Sequence, residues 1–232
     1  MPPKRARAAA AASAEPSLIL CYGDSNTYGQ SDVCADRLPY VDRWTTVLQS
    51  ELGSSFLVVP EGLNGRTTVH DDPCENAAFS GLGGSGMNGR RYLLPCLYSH
   101  RPIAAVVLAL GCNDLKKRHN LDAGDVAAGV ENLVADITNS TAGPDGKAPA
   151  IVIMSPPALV ETPQAKSWGF QFAAAKSLPT IAELARVAKD AGVPCVNVSH
   201  IHAVGADGIH IPAEAAAPVG KEVASAVLRA LA

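Results

Sequence analysis

The residues best suited to chemistry are a serine near the N-terminus and an aspartate–histidine pair near the C-terminus. Ser25 follows the apolar segment 17–22 in a Gly-Asp-Ser turn, which would present its hydroxyl beside free backbone N–H groups. Asp207 and His210 have DxxH spacing, so the carboxylate can hold the Nδ1–H of its own histidine and leave the other ring nitrogen for Ser25. The set predicts a nucleophile, Ser25, a base, His210, and an orienting acid, Asp207.

An acyl-transfer site also needs donors for the oxyanion that forms during attack. Asn113, in the segment GCND, and Gly65, in the segment EGLNGRTT, each follow an apolar run. The Asn113 amide, the Gly65 N–H and the N–H of Ser25 would form a hole of three donors, each typically worth about 3 to 4 kcal/mol of barrier. The adjoining Asp24 and Asp114 are expected to cap or pin their own loops rather than act as bases.

These residues require a scaffold that brings the ends of several strands together. Short apolar runs alternate along the chain with stretches of helical spacing, which predicts an α/β fold with a parallel sheet between helices on both faces. The functional loops of such a fold lie at the carboxyl ends of the strands. The predicted strands are 17–22, 56–59, 103–110, 151–154 and 195–198, and the predicted helices are 43–52, 123–137, 178–191 and 213–231.

The order of these motifs resembles the four blocks of the SGNH (GDSL-type) hydrolase superfamily. The segments EGLNGRTT, RYLLPCLYSH and DGIH are most similar to the branch of small bacterial aryl esterases and acyltransferases. The resemblance implies a three-layer α/β/α, flavodoxin-like sandwich with a parallel sheet of about five strands. The matching blocks are Gly23-Asp24-Ser25, Gly65, Gly111-x-Asn113-Asp114 and Asp207-x-x-His210.

The same resemblance implies what the chain acts on. It suggests a serine esterase for short-chain or aryl esters, with Ser25, His210 and Asp207 as the triad and with Ser25, Gly65 and Asn113 as the oxyanion donors. It implies no metal or other cofactor, water or an alcohol as the acyl acceptor, and a homo-oligomer. A carbohydrate O-acetyl esterase of the same fold is the alternative.

Two positions depart from the pattern of the family. Asn26 replaces the usual leucine after the nucleophile, and Gln30 stands where the esterase branch carries a bulky apolar residue. These changes predict a more polar acyl or alcohol pocket, for which Asn26 and Asn64 are the candidate lining residues. The glycine-rich stretch 80–89 does not directly follow a strand, as a dinucleotide fingerprint would, and is expected to be a surface loop or an oligomer contact.

Two other function classes compete with the esterase interpretation. His200, His202, Asp207 and His210 have the HxH…DxxH spacing of a zinc site, but zinc would leave Ser25 and Asn113 without a role. A non-enzymatic module that holds an anion at the loop after the first strand is the other alternative. Such a module has no use for the DxxH pair.

Composition limits the remaining classes. The 232 residues, 47% of them hydrophobic, suffice for one domain, predicted at 17–232 behind a disordered basic, alanine-rich tail at 1–16. The net charge of −3 supplies no basic face for nucleic acid. No apolar run approaches the roughly 20 residues of a membrane span. Six cysteines without CxxC spacing are expected to be reduced thiols of a cytoplasmic protein, although the basic tail resembles a weak targeting signal.

Overall fold

The computed structural model describes residues 15–74 and 84–232. Within this part of the chain, five strands form one fully parallel sheet in the order β2-β1-β3-β4-β5. Because the strand order reverses beside β1, the loops after β1 and β3 diverge and leave room for a site between them. The strands are β1 (Ser17–Gly23), β2 (Phe56–Gly62), β3 (Ile103–Ala109), β4 (Ala150–Met154) and β5 (Cys195–Val196).

Helices cover both faces of the sheet. One face carries α2 and α7, and the other carries α3, α4 and α6, which confirms the predicted three-layer α/β/α sandwich. The helices of the described residues are α1 (Ser25–Tyr28), α2 (Trp44–Leu52), α3 (Gly89–His100), α4 (Ala123–Thr138), α5 (Pro163–Ser167), α6 (Ala173–Ala191) and α7 (Ala216–Leu231).

The central strand β1 shows why the apolar runs are continuous. Successive side chains of a strand point to opposite faces. Ile19 and Cys21 enter the core under α2 and α7, whereas Leu20 and Tyr22 enter the core under α3, α4 and α6. All four side chains have no exposed surface, so β1 is rigidly held where its loop begins at Gly23.

Helix α3 was not predicted from the sequence because Pro95 interrupts it. A proline removes one helical hydrogen bond and costs about 3 kcal/mol or more in a helix interior. Pro95 lies on the exposed side, while Leu93, Cys96 and Leu97 on the opposite side are fully buried. Burial of this stripe offsets the penalty, since most helical stability in proteins comes from tertiary packing.

Other boundaries also shift. Helix α6 begins at Ala173, five residues before the predicted start, and runs through Pro179. Strand β5 has two residues instead of the predicted four, because the chain turns into a 3₁₀ helix at Ser199–Ile201.

No helix in the described ranges is long and apolar enough to cross a bilayer. The predicted tail lies outside the described residues except for 15–16, as does segment 80–83 of the glycine-rich stretch.

Candidate active site

Ser25, His210 and Asp207 form one continuous hydrogen-bonded chain. The His210 Nε2 lies 2.9 Å from the Ser25 Oγ, and the His210 Nδ1 lies 2.5 Å from the Asp207 Oδ2. Since a carboxylate only accepts, Nδ1 carries the proton and Nε2 is left to accept from the Ser25 hydroxyl. At most 7% of each residue is exposed, so bulk water barely competes with this chain.

The DxxH loop holds Asp207 through its own backbone. The Asp207 Oδ1 accepts from the N–H groups of Ile209 and His210 at 2.8 and 2.9 Å. Burial by itself would raise the pKa of Asp207, but the hydrogen bond from the His210 ring, together with these N–H groups, holds the pKa below its usual range. Asp207 is therefore an ionised acceptor at neutral pH.

Gly208 allows this loop to pack tightly. Its φ is +84°, and a Cβ there would lie 2.2 Å from the carbonyl oxygen of Val160. The Val160 N–H donates to the Gly208 carbonyl at 2.9 Å, and the Thr162 Oγ1 donates to the Asp207 carbonyl at 2.5 Å. The segment after β4 thus fixes the acid and base from outside their own loop.

The nucleophile turn is fixed by the residues on either side of Ser25. The Asp24 Oδ1 accepts from the Asn26 N–H at 2.9 Å and caps α1, as predicted for this residue. A Cβ at Gly23 would lie 2.0 Å from the Thr27 Oγ1, so the turn needs glycine there. Burial raises the pKa of Asp24 to about 6, against its hydrogen bond to Asn26 and the charge of His210.

The three predicted oxyanion donors lie on neighbouring loops. Within residues 15–74 and 84–232, the N–H groups of Ser25 and Gly65 donate to no acceptor. The Asn113 Nδ2 donates to the Arg66 carbonyl at 3.1 Å and faces the Asp24 Oδ2 across 3.5 Å. The second contact is at the limit of hydrogen bonding, so this N–H can turn to an oxyanion at little cost.

Buried contacts tie the two oxyanion loops to each other. The Asp114 carboxylate accepts from the N–H and the hydroxyl of Thr68, at 3.0 to 3.1 Å and 2.5 Å. The Arg66 Nη1 donates to the carbonyls of Gly23 and Glu61 at 2.8 and 2.5 Å. The first set of contacts confirms that Asp114 pins its loop. Together with the contacts of Arg66, they fix the Gly65 segment against the end of β1.

Asn26 and Asn64, the candidate pocket residues, are both bound to the protein at one end. The Asn26 Oδ1 accepts from the Ile211 N–H at 2.8 Å, next to His210. The Asn64 Nδ2 donates to the Gln30 Oε1 at 2.9 Å, and the Asn64 Oδ1 is buried with no partner among the described residues. Asn26 thus links the nucleophile turn to the histidine loop, a contact that the sequence did not predict.

Sequence reasoning also missed two side chains of the site. The Trp168 ring stands edge-on to the His210 ring at 5.7 Å and is 40% exposed. Thr162, described above, was not singled out either. Both belong to the loop after β4, and the rule that functional loops follow the carboxyl ends of strands was the signal that could have found them. Trp44 is buried, and its Nε1 donates to the Asn26 carbonyl at 2.9 Å.

The zinc alternative does not fit this arrangement. The His200 Nε2 pairs with the Glu222 Oε1 at 2.8 Å on the surface, whereas His210 is held by Ser25 and Asp207. Among the residues that the structure describes, the four side chains of the HxH…DxxH pattern do not form a group close enough to share one ion. Their spacing in the sequence therefore does not correspond to a shared position in space.

The chain is similar to solved esterase structures over nearly its whole length. The chain is 31% identical to the M. smegmatis aryl esterase, over 93% of this chain and 100% of that one, with a TM-score of 0.81. It is 30% identical to a carbohydrate acetylesterase from Sinorhizobium meliloti, over 92% and 99% of the two chains, with a TM-score of 0.83. A search of curated proteins gave no match. The family model for GDSL-like lipases and acylhydrolases matches residues 21–217, and the chain therefore belongs to the GDSL-like lipase/acylhydrolase family.

Proposed function

We propose that the chain, an ester hydrolase by its family, works through an acyl-enzyme on Ser25. The observation that carries the proposal is the buried hydrogen-bonded chain from Asp207 through His210 to Ser25. As the Ser25 oxygen bonds to the ester carbonyl carbon, its proton passes to the His210 Nε2, and the ionised Asp207 stabilises the resulting imidazolium.

The oxyanion is then held by the N–H groups of Ser25 and Gly65 and by the Asn113 amide. When the tetrahedral intermediate collapses, the bond to the leaving oxygen breaks and His210 returns its proton to that oxygen. Water repeats the sequence on the acyl-enzyme and releases the acid. The unpaired N–H groups of Ser25 and Gly65 support this assignment of the donors.

The acyl group is proposed to be short. Beside the nucleophile turn, the described residues enclose a cavity of only about 10 Å³, lined by Asp24, Asn26 and Met154 among others. Such a cavity holds about one water molecule. Its lining includes none of Ser25, His210, Gly65 and Asn113, so this cavity does not measure the acyl site, and the proposal of a short acyl group rests on the similar structures. The two similar proteins, an aryl esterase and a carbohydrate acetylesterase, suggest aryl and sugar acetates as the first esters to test.

Transfer of the acyl group to an alcohol is the second candidate. Trp168 places an apolar ring beside His210, the base that must deprotonate any acceptor. Benzyl alcohol added to an aqueous vinyl acetate reaction would yield benzyl acetate if the acceptor site favours alcohols, and only acetic acid if it favours water. The predicted homo-oligomer and the predicted cytoplasmic location stay predictions.

The decisive test is hydrolysis of p-nitrophenyl acetate by the wild type and by Ser25→Ala. Loss of the nucleophile should lower kcat/KM by about a thousandfold or more. Ser225→Ala, which removes an exposed hydroxyl on α7, is the matched control and should retain full activity. Acid-quenched wild-type enzyme should carry an acetyl group on the Ser25 peptide by mass spectrometry. Equal rates for Ser25→Ala and the wild type would refute the proposal.

A further inference from the structure

A second group of reactive side chains lies beneath the loop that carries Gly65. Glu61, near the end of β2, meets Cys96 and His100 of α3. Their possible ligand atoms all lie within 4.8 Å of one another. The Cys96 side chain is fully buried, whereas about a quarter of the His100 and Glu61 side chains is exposed. The group is thus closed on the core side and open to solvent on the other.

The spacing of the two helical residues suits joint binding. Cys96 and His100 are four residues apart on α3 and so share one face of the helix. The Cys96 Sγ lies 3.8 Å from the His100 Nδ1, which turns to the Cys96 carbonyl, so a metal ion would bind the other ring nitrogen, Nε2. Thiolate, imidazole and carboxylate are the three ligand types that proteins offer to Zn²⁺. The set therefore has the chemistry of a zinc site, with a fourth position for water.

The orientation of the His100 ring points to a cation in front of it. Its Nδ1 lies 2.9 Å from the Cys96 carbonyl oxygen, so Nδ1 donates its proton there, as metal-binding histidines do with their second nitrogen. The Nε2 then presents a lone pair to the Glu61 Oε1, which is 3.5 Å away. The contact is an ion pair only if Nε2 carries a proton, and a metal ion between the two atoms can take the place of that proton. Two ligands of one tetrahedral zinc ion, each at about 2.0 Å, would be about 3.3 Å apart.

We propose that Glu61, Cys96 and His100 bind one divalent transition-metal ion, for which Zn²⁺ is the best match. The ion would tie the last turn of α3 to the end of β2. None of the three side chains touches Ser25, His210 or Asp207 in the hydrogen bonds of the described residues. The site is therefore separate from the triad, although the Glu61 carbonyl also holds Arg66, which fixes the Gly65 segment.

The surrounding charges set conditions on binding. The Arg66 guanidinium, held by the carbonyls of Gly23 and Glu61, is close enough to oppose a cation. The pKa of the Cys96 thiol is raised to about 12, mainly by burial. The negative charge of Glu61 also raises this pKa, whereas the positive charge of Arg66 lowers it. Binding must therefore replace the thiol proton with the metal and release that proton to solvent, so affinity should fall as the pH falls.

The test is titration of the full chain with Co²⁺, used as a spectroscopic substitute for Zn²⁺. We expect one Co²⁺ per chain, with a thiolate-to-cobalt charge-transfer band that Zn²⁺ abolishes by competition. Cys96→Ser should remove the band. His100→Gln should lower Co²⁺ affinity by more than the roughly 10- to 100-fold that loss of an outer-shell partner causes.

Matched controls separate this site from other thiols and other histidine–carboxylate pairs. His200→Gln breaks the exposed pair with Glu222, which lies outside the proposed site, and the double variant Cys34→Ser/Cys74→Ser removes the two exposed thiols. Both should retain the band. Thermal unfolding in EDTA and p-nitrophenyl acetate turnover verify that each variant is folded. Absence of a charge-transfer band in the wild type, or a band that survives in Cys96→Ser, would overturn the proposal.

Discussion

Two histidine–carboxylate pairs in this molecule have similar contacts and different surroundings. The distances are 2.5 Å for His210–Asp207 and 2.8 Å for His200–Glu222. The side chains of the first pair are 7% and 2% exposed, and those of the second are 59% and 40% exposed. The Asp207 carboxylate also accepts two backbone N–H groups.

Exposed ion pairs contribute only about 0 to 1 kcal/mol to the stability of the folded state, because water and salt screen them and two long side chains must be ordered. A buried and anchored pair instead fixes one tautomer and one ring orientation. The comparison teaches that the short contact alone does not make a base. Burial and the backbone of the DxxH loop do so, and both depend on the fold.

The largest expected effect on kcat comes from changing Asp207 to its amide, and the same change in the exposed pair is the control. Asp207→Asn keeps an oxygen for the two N–H groups but presents an NH₂ to the His210 Nδ1, which favours the wrong tautomer. We expect kcat for p-nitrophenyl acetate to fall by about 10³- to 10⁴-fold, as in other serine triads. Glu222→Gln, the matched change in the exposed pair, should leave kcat unchanged. Similar losses in both variants would contradict the comparison.

A smaller effect concerns stability and the buried Asp24. Burial raises its pKa from 3.8 to about 6, so the folded state binds more protons between about pH 4 and 6 and loses stability as the pH rises through that window. Above pH 6 the ionised Asp24 lowers the free energy of unfolding by up to about 3 kcal/mol, since one pKa unit corresponds to about 1.4 kcal/mol. Asp24→Asn, which can still cap α1, should raise the free energy of unfolding at pH 7.5 and hardly change it at pH 4.

Urea unfolding at the two pH values measures this difference. Asp122→Asn is the control, because Asp122 is also a helix N-cap, of α4, but is exposed. For Asp122→Asn, the change in the free energy of unfolding should be the same at both pH values. A gain of equal size at pH 4 and pH 7.5 for Asp24→Asn would show that ionisation of this carboxylate is not the cause.

The smallest effect is expected for Asn26. Asn26→Leu installs the residue usual in the family and removes the acceptor of the Ile211 N–H. An unpaired buried N–H costs about 1 to 3 kcal/mol, and the displaced His210 should lower kcat by about 10-fold. Asn26→Asp retains an acceptor oxygen and should recover most of kcat. If Asn26→Leu instead changes KM alone, Asn26 contacts the substrate and does not position the histidine loop.

Much of the fold was accessible from the sequence because its signals are local. The apolar run before Gly23 predicts a strand buried on both faces, and β1 is such a strand. Helix α3 was missed, since Pro95 is unfavourable locally and only the packing of the opposite side compensates for it. In the site, Asp207 and His210 were predicted as a pair because only two residues separate them in one loop.

The sequence by itself determined the residue types for an acyl-transfer site and the strands whose ends carry them. Only the tertiary structure decided which of several polar residues meet. It joined Asn26 to Ile211 across 185 positions and placed Trp168 against His210. It also separated His200 from His210 and grouped Glu61 with Cys96 and His100. Periodicity and spacing describe one element at a time, whereas these contacts depend on how strands and helices pack, which requires the whole core.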